Sequence, residues 1–385
     1  MRLLSLTVTI LTSLLLISCG VSAKQNPEVV KTPRVAQTSV AKIPFLPECK
    51  DGYTVSRWAD VPNARSLAVS PDGKVVFVGS RSGWVSKVEV GEDGQPTVST
   101  FQENLNSSNG VCFVGDDLYL GELTRIRRFK GSDGFPSGAE GEVVLDGLPA
   151  ETHHGWRYIR QGPDGRLRIA IGAPCNVCER KDDPRFATIC SFDTEGKDFR
   201  IEAKGVRNSV GFDWKPGSRD LVFTDNGRDH LGDDIPPCEL NILPSGREGS
   251  HYGFPYFWGD NQADPKFGDK APDLEFVQPI VKFQAHVAPL GCYFLKGDKA
   301  REDFGDSIYV AQHGSWNRSS PVGYRVVAVD LEQEKKEIVP FLWGFLDSDD
   351  PNKRYGRPVD IAELPDGTML VSDDFGGVVW AVRKK

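Results

Sequence analysis

SPDGKVVFVGSRSGWVSKVEV, residues 70–90, decides the fold. A Pro-Asp-Gly turn leads into four apolar residues. A second Gly-containing turn follows, and then another strand with β-branched residues. Pro pre-sets φ and Gly supplies positive φ at no steric cost, so this stretch reads as turn–strand–turn–strand. The unit recurs as VGDDLYLGELTRIRRF at 114–129 and GPDGRLRIAIG at 162–172, the latter continuing to ATICSFD at 187–193. Next come KPGSRDLVFTDNG at 215–227 with CELNIL at 238–243, and EDFGDSIYVAQHG at 302–314 with YRVVAVDL at 324–331. The last copy is LPDGTMLVSDDFGGVVWAV at 364–382.

Each strand is short, and no stretch sustains the 3.6-residue period of a helix. Copies spaced about 45–60 residues apart, each with several strands, are what radial repetition of four-stranded sheets gives. The expectation is an all-β protein, a six-bladed β-propeller. Tyr53–Ser70 supplies opening strands, and pairing of the terminal strands closes the ring and hides two sheet edges. The long interval Pro244–Arg301, with HYGFPYFWGDN at 251–261, reads as an inserted loop over one face.

The bulk numbers agree with such a domain. The 40 Gly and 26 Pro are spread along 385 residues as turn punctuation, not gathered into a low-complexity tract. Net charge is −8 with no basic stripe, so nothing marks a nucleic-acid surface.

At the N-terminus, Arg2 precedes an apolar run from Leu3 to Ile17 that is short for a membrane span. Leu16-Ile17-Ser18-Cys19-Gly20 resembles a bacterial lipobox, in which the cysteine becomes the lipidated first residue. Residues 1–19 are thus expected to be a lipoprotein-type signal peptide and 20–43 a flexible tether. The propeller then occupies 44–385. That placement is extracytoplasmic, with membrane association through Cys19. Gly20 favours the outer membrane, facing the periplasm, in a Gram-negative host. Seven cysteines remain, an odd number, so at least one stays unpaired within the chain. Cys175 and Cys178 form a CxxC. Glu179 stands where c-type haem attachment needs His, and no second pair suggests zinc, which leaves a disulfide or a shaped loop.

Chemistry gathers on loops that flank strands. His153 and His154 precede a strand, with Arg157 three residues on. DNGRDHLGDD at 225–234 is metal-friendly but is no EF-hand, since His230 occupies the sixth position and Pro236 the twelfth. THHGWRYIRQGPDGRLRIAIGAPCNVCE at 152–179, RNSVGF at 207–212, TDNGRDHLGDD at 224–234 and HGSWNR at 313–318 together resemble the sorbosone dehydrogenase-like branch of the soluble sugar dehydrogenases. These are quinoprotein propellers that use pyrroloquinoline quinone (PQQ). The resemblance covers nearly all of the mature domain.

It implies that His154 is the general base, with His153 its neighbour, and that Arg207 and Asn208 lie against the quinone and the substrate hydroxyl. Arg357 would pair with the acidic cofactor. Arg318 matches, more weakly, a basic residue that touches the quinone. Ca²⁺ would bridge quinone and protein through the main-chain carbonyls of Gly227 and Arg228. The implied reaction passes a hydride from a sugar, sugar aldehyde or polyol to the quinone while His154 takes the proton. Electrons then leave to an external acceptor. PQQ carries three carboxylates, and arginine forks suit them.

One departure stands out. Glucose-oxidising relatives have an aspartate that orients the histidine where this chain has Ala173, so His154 would lack that partner and another group must fix its tautomer. Two other readings fit a calcium propeller, a lactone or ester hydrolase and a non-catalytic lipid-anchored binding module.

Overall fold

In the computed structural model, which describes residues 45–350 and 352–385, short strands at a common axis begin each of six antiparallel sheets. The signal peptide, Cys19 and the 20–43 tether lie outside the described residues. The innermost strands are Leu67–Val69, Gly110–Val114, Ile159–Gln161, Phe212–Trp214, Pro289–Phe294 and Pro358–Glu363. Each starts one blade, and the next strands of the blade follow outward in antiparallel register. The six-bladed propeller expected from the repeats is the fold observed.

Closure also follows the expectation. Tyr53–Asp60 pairs antiparallel with the C-terminal strand Val378–Lys384 as the outermost strand of the sixth blade. Upstream of it, Glu48–Cys49 adds a fifth strand to the fifth blade by pairing with Leu342 and Trp343. Both ends of the described chain are thereby tied into sheets.

The interval Pro244–Arg301 corrects the sequence reading. It is only partly an insertion. Val281–Phe283 completes the fourth blade, and Pro289–Phe294 opens the fifth. Asp298–Phe304 is the α-helix of the described residues. Between these pieces lie the true additions: Ser250–His251, which extends the third blade in parallel register, and the small hairpin Phe257–Trp258 with Gln262–Ala263. Three residues of strand, and a strand that begins with Pro, carry too little period-2 signal to be seen beside the aromatics.

Apolar residues from both faces of each blade form the core, so that burial is divided among the interfaces between neighbouring blades. Six clusters result, one per interface. Phe77, Phe101 and Leu118 lie between the first and second blades, and Phe212, Leu221 and Ala170 between the third and fourth. Tyr309, Phe341, Val371 and Trp380 lie between the fifth and sixth. At the axis, Val210, Leu290 and Val359 meet Trp156. Backbones approach closely there. A Cβ on Gly211 would sit 2.2 Å from the Leu290 carbonyl oxygen, and one on Gly110 would sit 1.9 Å from that of Arg157. Glycine is required at both positions by space.

Trp380 tests the closing interface. Its ring is 1% exposed, lies edge-on to Phe45 at 5.9 Å, and donates its indole N–H to Asp373 at 3.2 Å. Trp380→Ala is expected to lower unfolding free energy by about 3–5 kcal/mol, read from denaturant midpoints. A loss under about 1 kcal/mol would mean that the sixth blade does not close as described.

Candidate active site at the hub

In a propeller, residues that precede the innermost strands and residues that follow the second strands emerge on the same face. Every residue singled out from the sequence lies on such a segment. His154, Arg207, Asn208 and Arg357 precede innermost strands. Gly227 and Arg228 follow the second strand Leu221–Asp225, and Arg318 follows Ile308–Gln312. Hydrogen bonds connect His154, Arg207 and the 225–234 loop, while Arg357 and Arg318 are held by their own partners.

Arg207 and Asn208 are placed by a carboxylate. Asp225, at the end of the second strand, accepts their backbone N–H groups at 2.8 and 2.7 Å. The sixth blade repeats the device: Asp373 accepts the N–H of Arg357 at 2.8 Å, together with those of Phe375 and Gly376. Burial pushes both carboxyls up to about 6 against the pull of these donors.

The Arg207 guanidinium is almost fully buried and held in its own plane. Nε donates to the Asn176 carbonyl at 2.8 Å and Nη1 to the Asn226 carbonyl at 3.0 Å. Nη2 reaches Asn176 Oδ1 at 2.9 Å and Asp229 Oδ2 at 3.2 Å. The in-plane edge is therefore largely committed to protein, and the flat faces are what it can offer a planar ligand. Asn208 contrasts with it: its side-chain amide makes no hydrogen bond among the described residues, although the residue is buried. An amide in that state is a ready partner for a ligand hydroxyl.

His154 meets Asn208 across Gly172. A Cβ on Gly172 would lie 2.5 Å from His154 Cβ and 3.2 Å from Asn208 Oδ1. The histidine adopts φ 54°, a left-handed conformation that marks a residue held by its surroundings. Its Nδ1 lies 2.8 Å from the carbonyl oxygen of Ala173. A carbonyl only accepts, so Nδ1 carries the proton and Nε2 carries the lone pair. The absent aspartate at position 173 is thus replaced, and the backbone of that same residue fixes the tautomer. Burial, the Arg207 charge and His153 together hold the His154 imidazole well below its usual range, so it is neutral at physiological pH. The His153 ring stands 4.0 Å away, more exposed, and is lowered by burial and Arg207.

The 225–234 loop supplies oxygen. Neither the Gly227 nor the Arg228 carbonyl accepts a hydrogen bond among the described residues, which leaves both free to ligate a hard cation. The Arg228 side chain is anchored to buried Asp264 at 2.7 Å. Behind the loop lies a cavity of about 30 Å³ lined by Arg207, Asp225, Gly227 and Glu239, room for a water-sized group. Side-chain ligation is not built in: no group of three or more His, Cys, Asp or Glu gathers among the described residues. A hydrolase propeller would need such converging carboxylates, and here Asp225 and Asp373 are occupied by backbone N–H groups.

Arg357 donates Nε to the His313 carbonyl and Nη2 to that of Gly314, and among the described residues no carboxylate meets its charge in direct contact. Arg318 serves a different partner. It holds the Asp233 carbonyl and Asp234 Oδ1, clamping HGSWNR onto the 225–234 loop, while Trp316, 67% exposed, stands edge-on to His230.

Sequence reasoning missed three contributors on this face. Arg65 precedes the innermost strand of the first blade as Arg357 does in the sixth, and alignment of the repeats would have found it. It donates to Asn109 Oδ1 and Asp374 Oδ2, both at 2.9 Å, and Asp374 also lies 2.8 Å from His313 Nε2. Trp156, two residues after His154, carries the guanidinium of Arg81 over its ring at 4.7 Å. Asn176 had no signal beyond its place inside the CxxC. A larger cavity of about 390 Å³ opens at the opposite end of the innermost strands, near Ser70, Phe113, Gln161 and Glu363, and holds none of these groups.

Comparison with known proteins bears on the fold and the family. A protein of Borreliella burgdorferi is 33% identical over 363 residues, covering 90% of this chain and 91% of its own. The enzyme named pyrroloquinoline quinone-dependent pyranose dehydrogenase from Coprinopsis cinerea is 30% identical over 147 residues, 34% of this chain and 19% of that protein. Its holo PQQ domain superposes with a TM-score of 0.72 at 18% identity, covering 88% of this chain and 97% of that one. A Trichoderma reesei carbohydrate-active enzyme of family AA12 superposes with a TM-score of 0.75 at 19% identity over 88% and 98%. At such identities the superpositions speak to fold. A TrAA12-like model matches residues 256–385. The glucose/sorbosone dehydrogenase model matches residues 120–315, just over half of the sequence and including His154, Arg207 and the 225–234 loop, and the chain belongs to that family.

Proposed function

We propose that this chain is a quinoprotein sugar dehydrogenase that binds PQQ and Ca²⁺ at the hub face and oxidises a sugar, sugar aldehyde or related polyol. The observation that carries the reading is His154, neutral, with its lone pair placed on Nε2 by the Ala173 carbonyl. PQQ, when bound, supplies the ortho-quinone that accepts the hydride.

The chain's own residues do the rest. Arg357, whose carbonyl partners leave its charge uncancelled, would hold an anionic group of the cofactor, and Arg207 would offer its flat face to the planar ring system. The carbonyls of Gly227 and Arg228 would hold the cation. The Asn208 amide orients the substrate hydroxyl, and His154 Nε2 takes its proton. Dehydrogenation leaves electrons that an external acceptor must collect. The lipobox-like stretch ending at Cys19 supports a lipid-anchored, extracytoplasmic location, which in a Gram-negative host would be the outer membrane, facing the periplasm.

Two expected outcomes follow. Titration with PQQ, followed by quinone absorbance, should show Ca²⁺-dependent binding that weakens at least tenfold in Arg357→Ala and in Arg207→Ala, about 1.4 kcal/mol or more. Folded protein that takes up no PQQ at any calcium concentration would end the quinoprotein reading. His154→Ala should keep PQQ binding and lower kcat by about 10²–10⁴. In the unaltered protein the base works in its neutral form and fails as pH falls through its pKa. Because that pKa is depressed, the acid limb of kcat/KM is expected below pH 6.5. A limb at or above 6.5 would assign the proton to another group.

A further inference from the structure

Residues 173–179, APCNVCE, touch His154, Arg207 and the 225–234 loop. The Ala173 carbonyl fixes His154, and the Ala173 N–H donates to the Arg207 carbonyl at 2.8 Å. Asn176 makes four bonds. Its main-chain oxygen accepts Arg207 Nε, and its Oδ1 accepts both Arg207 Nη2 and the Asp229 N–H, the latter at 2.8 Å. Its Nδ2 donates to the Asp229 carbonyl at 3.1 Å. Glu179 accepts the Tyr256 hydroxyl at 2.7 Å, tying the far side to the insertion. Cys175 and Cys178 are joined by a disulfide that closes the loop around Asn176. Both cysteines are half-buried, within reach of a small reductant, and the remaining described cysteines are free thiols, all but Cys49 buried.

From this geometry we infer that Asn176 is a positioning residue for Arg207 and the 225–234 loop, and that the Cys175–Cys178 disulfide is a redox-dependent lock on it. The inference rests on the proposed PQQ site. The cross-link restricts the chain that carries Asn176, so the four bonds form at little further entropic cost. Opening it takes two electrons and two protons. With a phosphine and water, the products are two thiols and the phosphine oxide. The freed loop then no longer holds Asn176 against the guanidinium, Arg207 loses two of its four side-chain hydrogen bonds, and the 225–234 loop loses its two bonds to Asn176.

The test uses full-length protein in two states, as isolated and after phosphine treatment, with excess reductant removed and thiols counted. PQQ binding in calcium is followed by absorbance. Histidine Cε1–H titration by NMR is followed in cofactor-free protein, where the groups that bear on His154 are Arg207 and His153. Reduction is expected to weaken PQQ binding at least tenfold and to move the His154 midpoint upward as the Arg207 charge is released. Cys175→Ser/Cys178→Ser should match the reduced protein and ignore phosphine, which separates the lock from any reaction of thiols with the quinone. Asn176→Ala should weaken binding in both states. Asn176→Gln, which keeps a neutral amide with both acceptor and donor, should restore part of it.

Equal PQQ affinity before and after reduction, with two new thiols counted, overturns the lock and leaves the quinoprotein reading intact. If the oxidised protein binds no PQQ, that reading falls. The histidine titration then decides by itself, and a His154 midpoint unmoved by reduction overturns the inference. Asn176→Ala that lowers stability while affinity and the His154 midpoint stay fixed would make Asn176 merely structural, and also overturns it.

Discussion

A buried carboxylate at the end of a second strand fixes the backbone where the next reactive residues begin, and the site depends on that contact. Asp225 does this for Arg207 and Asn208, and Asp373 for Arg357. Their carboxyls are raised to about 6, above the ordinary carboxylate range near 4. The folded protein therefore binds their protons more tightly than the unfolded chain. Their unfavourable contribution is absent below roughly pH 4, grows between there and 6, and is complete above. Six inter-blade cores offset that cost. The propeller tolerates two poorly solvated carboxylates because they hold arginine backbones at the hub, and a shift of an ångström in such groups matters to chemistry.

Charge is managed by the same economy of partners. Arg357 and Arg157 are satisfied by carbonyl oxygens, and Arg207 largely so. Carbonyls meet the directional demand of a guanidinium without cancelling its charge. Burial lowers the pKa of all three, that of Arg157 to about 10, yet each stays protonated at neutral pH. Carboxylate partners would have neutralised the face. With carbonyls, Arg357 keeps a charge that suits an anionic ligand.

The fold was legible because turn chemistry recurs with the strands. The Pro-Asp-Gly and related turns are local, and they mark the step from the innermost strand to the second in most blades. The innermost strands themselves were faint. Leu67–Val69, Ile159–Gln161 and Phe212–Trp214 are three residues each, and their identity comes from the ring they complete. In the site, His154, Arg207 and Arg357 stand in motifs and could be named. The partner of His154 could not, because a main-chain carbonyl has no letter in the sequence. Asn176 was hidden for a related reason: its bonds reach 31 and 53 residues along the chain, and only the closed ring brings those segments together.

The substitution at position 173 also bears on the substrate. An aspartate beside Nδ1 would stabilise the imidazolium and raise the base strength of His154. A neutral carbonyl does so far less, and the nearby Arg207 charge works in the opposite direction. The result is a weaker base that is deprotonated across the physiological range. Proton transfer is most effective when donor and acceptor acidities are matched. A weaker base suits a more acidic hydroxyl, and the hydroxyls of an anomeric carbon or of a hydrated aldehyde lose their protons more readily than those of a simple alcohol. On the proposed dehydrogenase reading, the carbonyl at Ala173 would favour a sugar hemiacetal or aldehyde hydrate over an isolated alcohol as the group presented to His154.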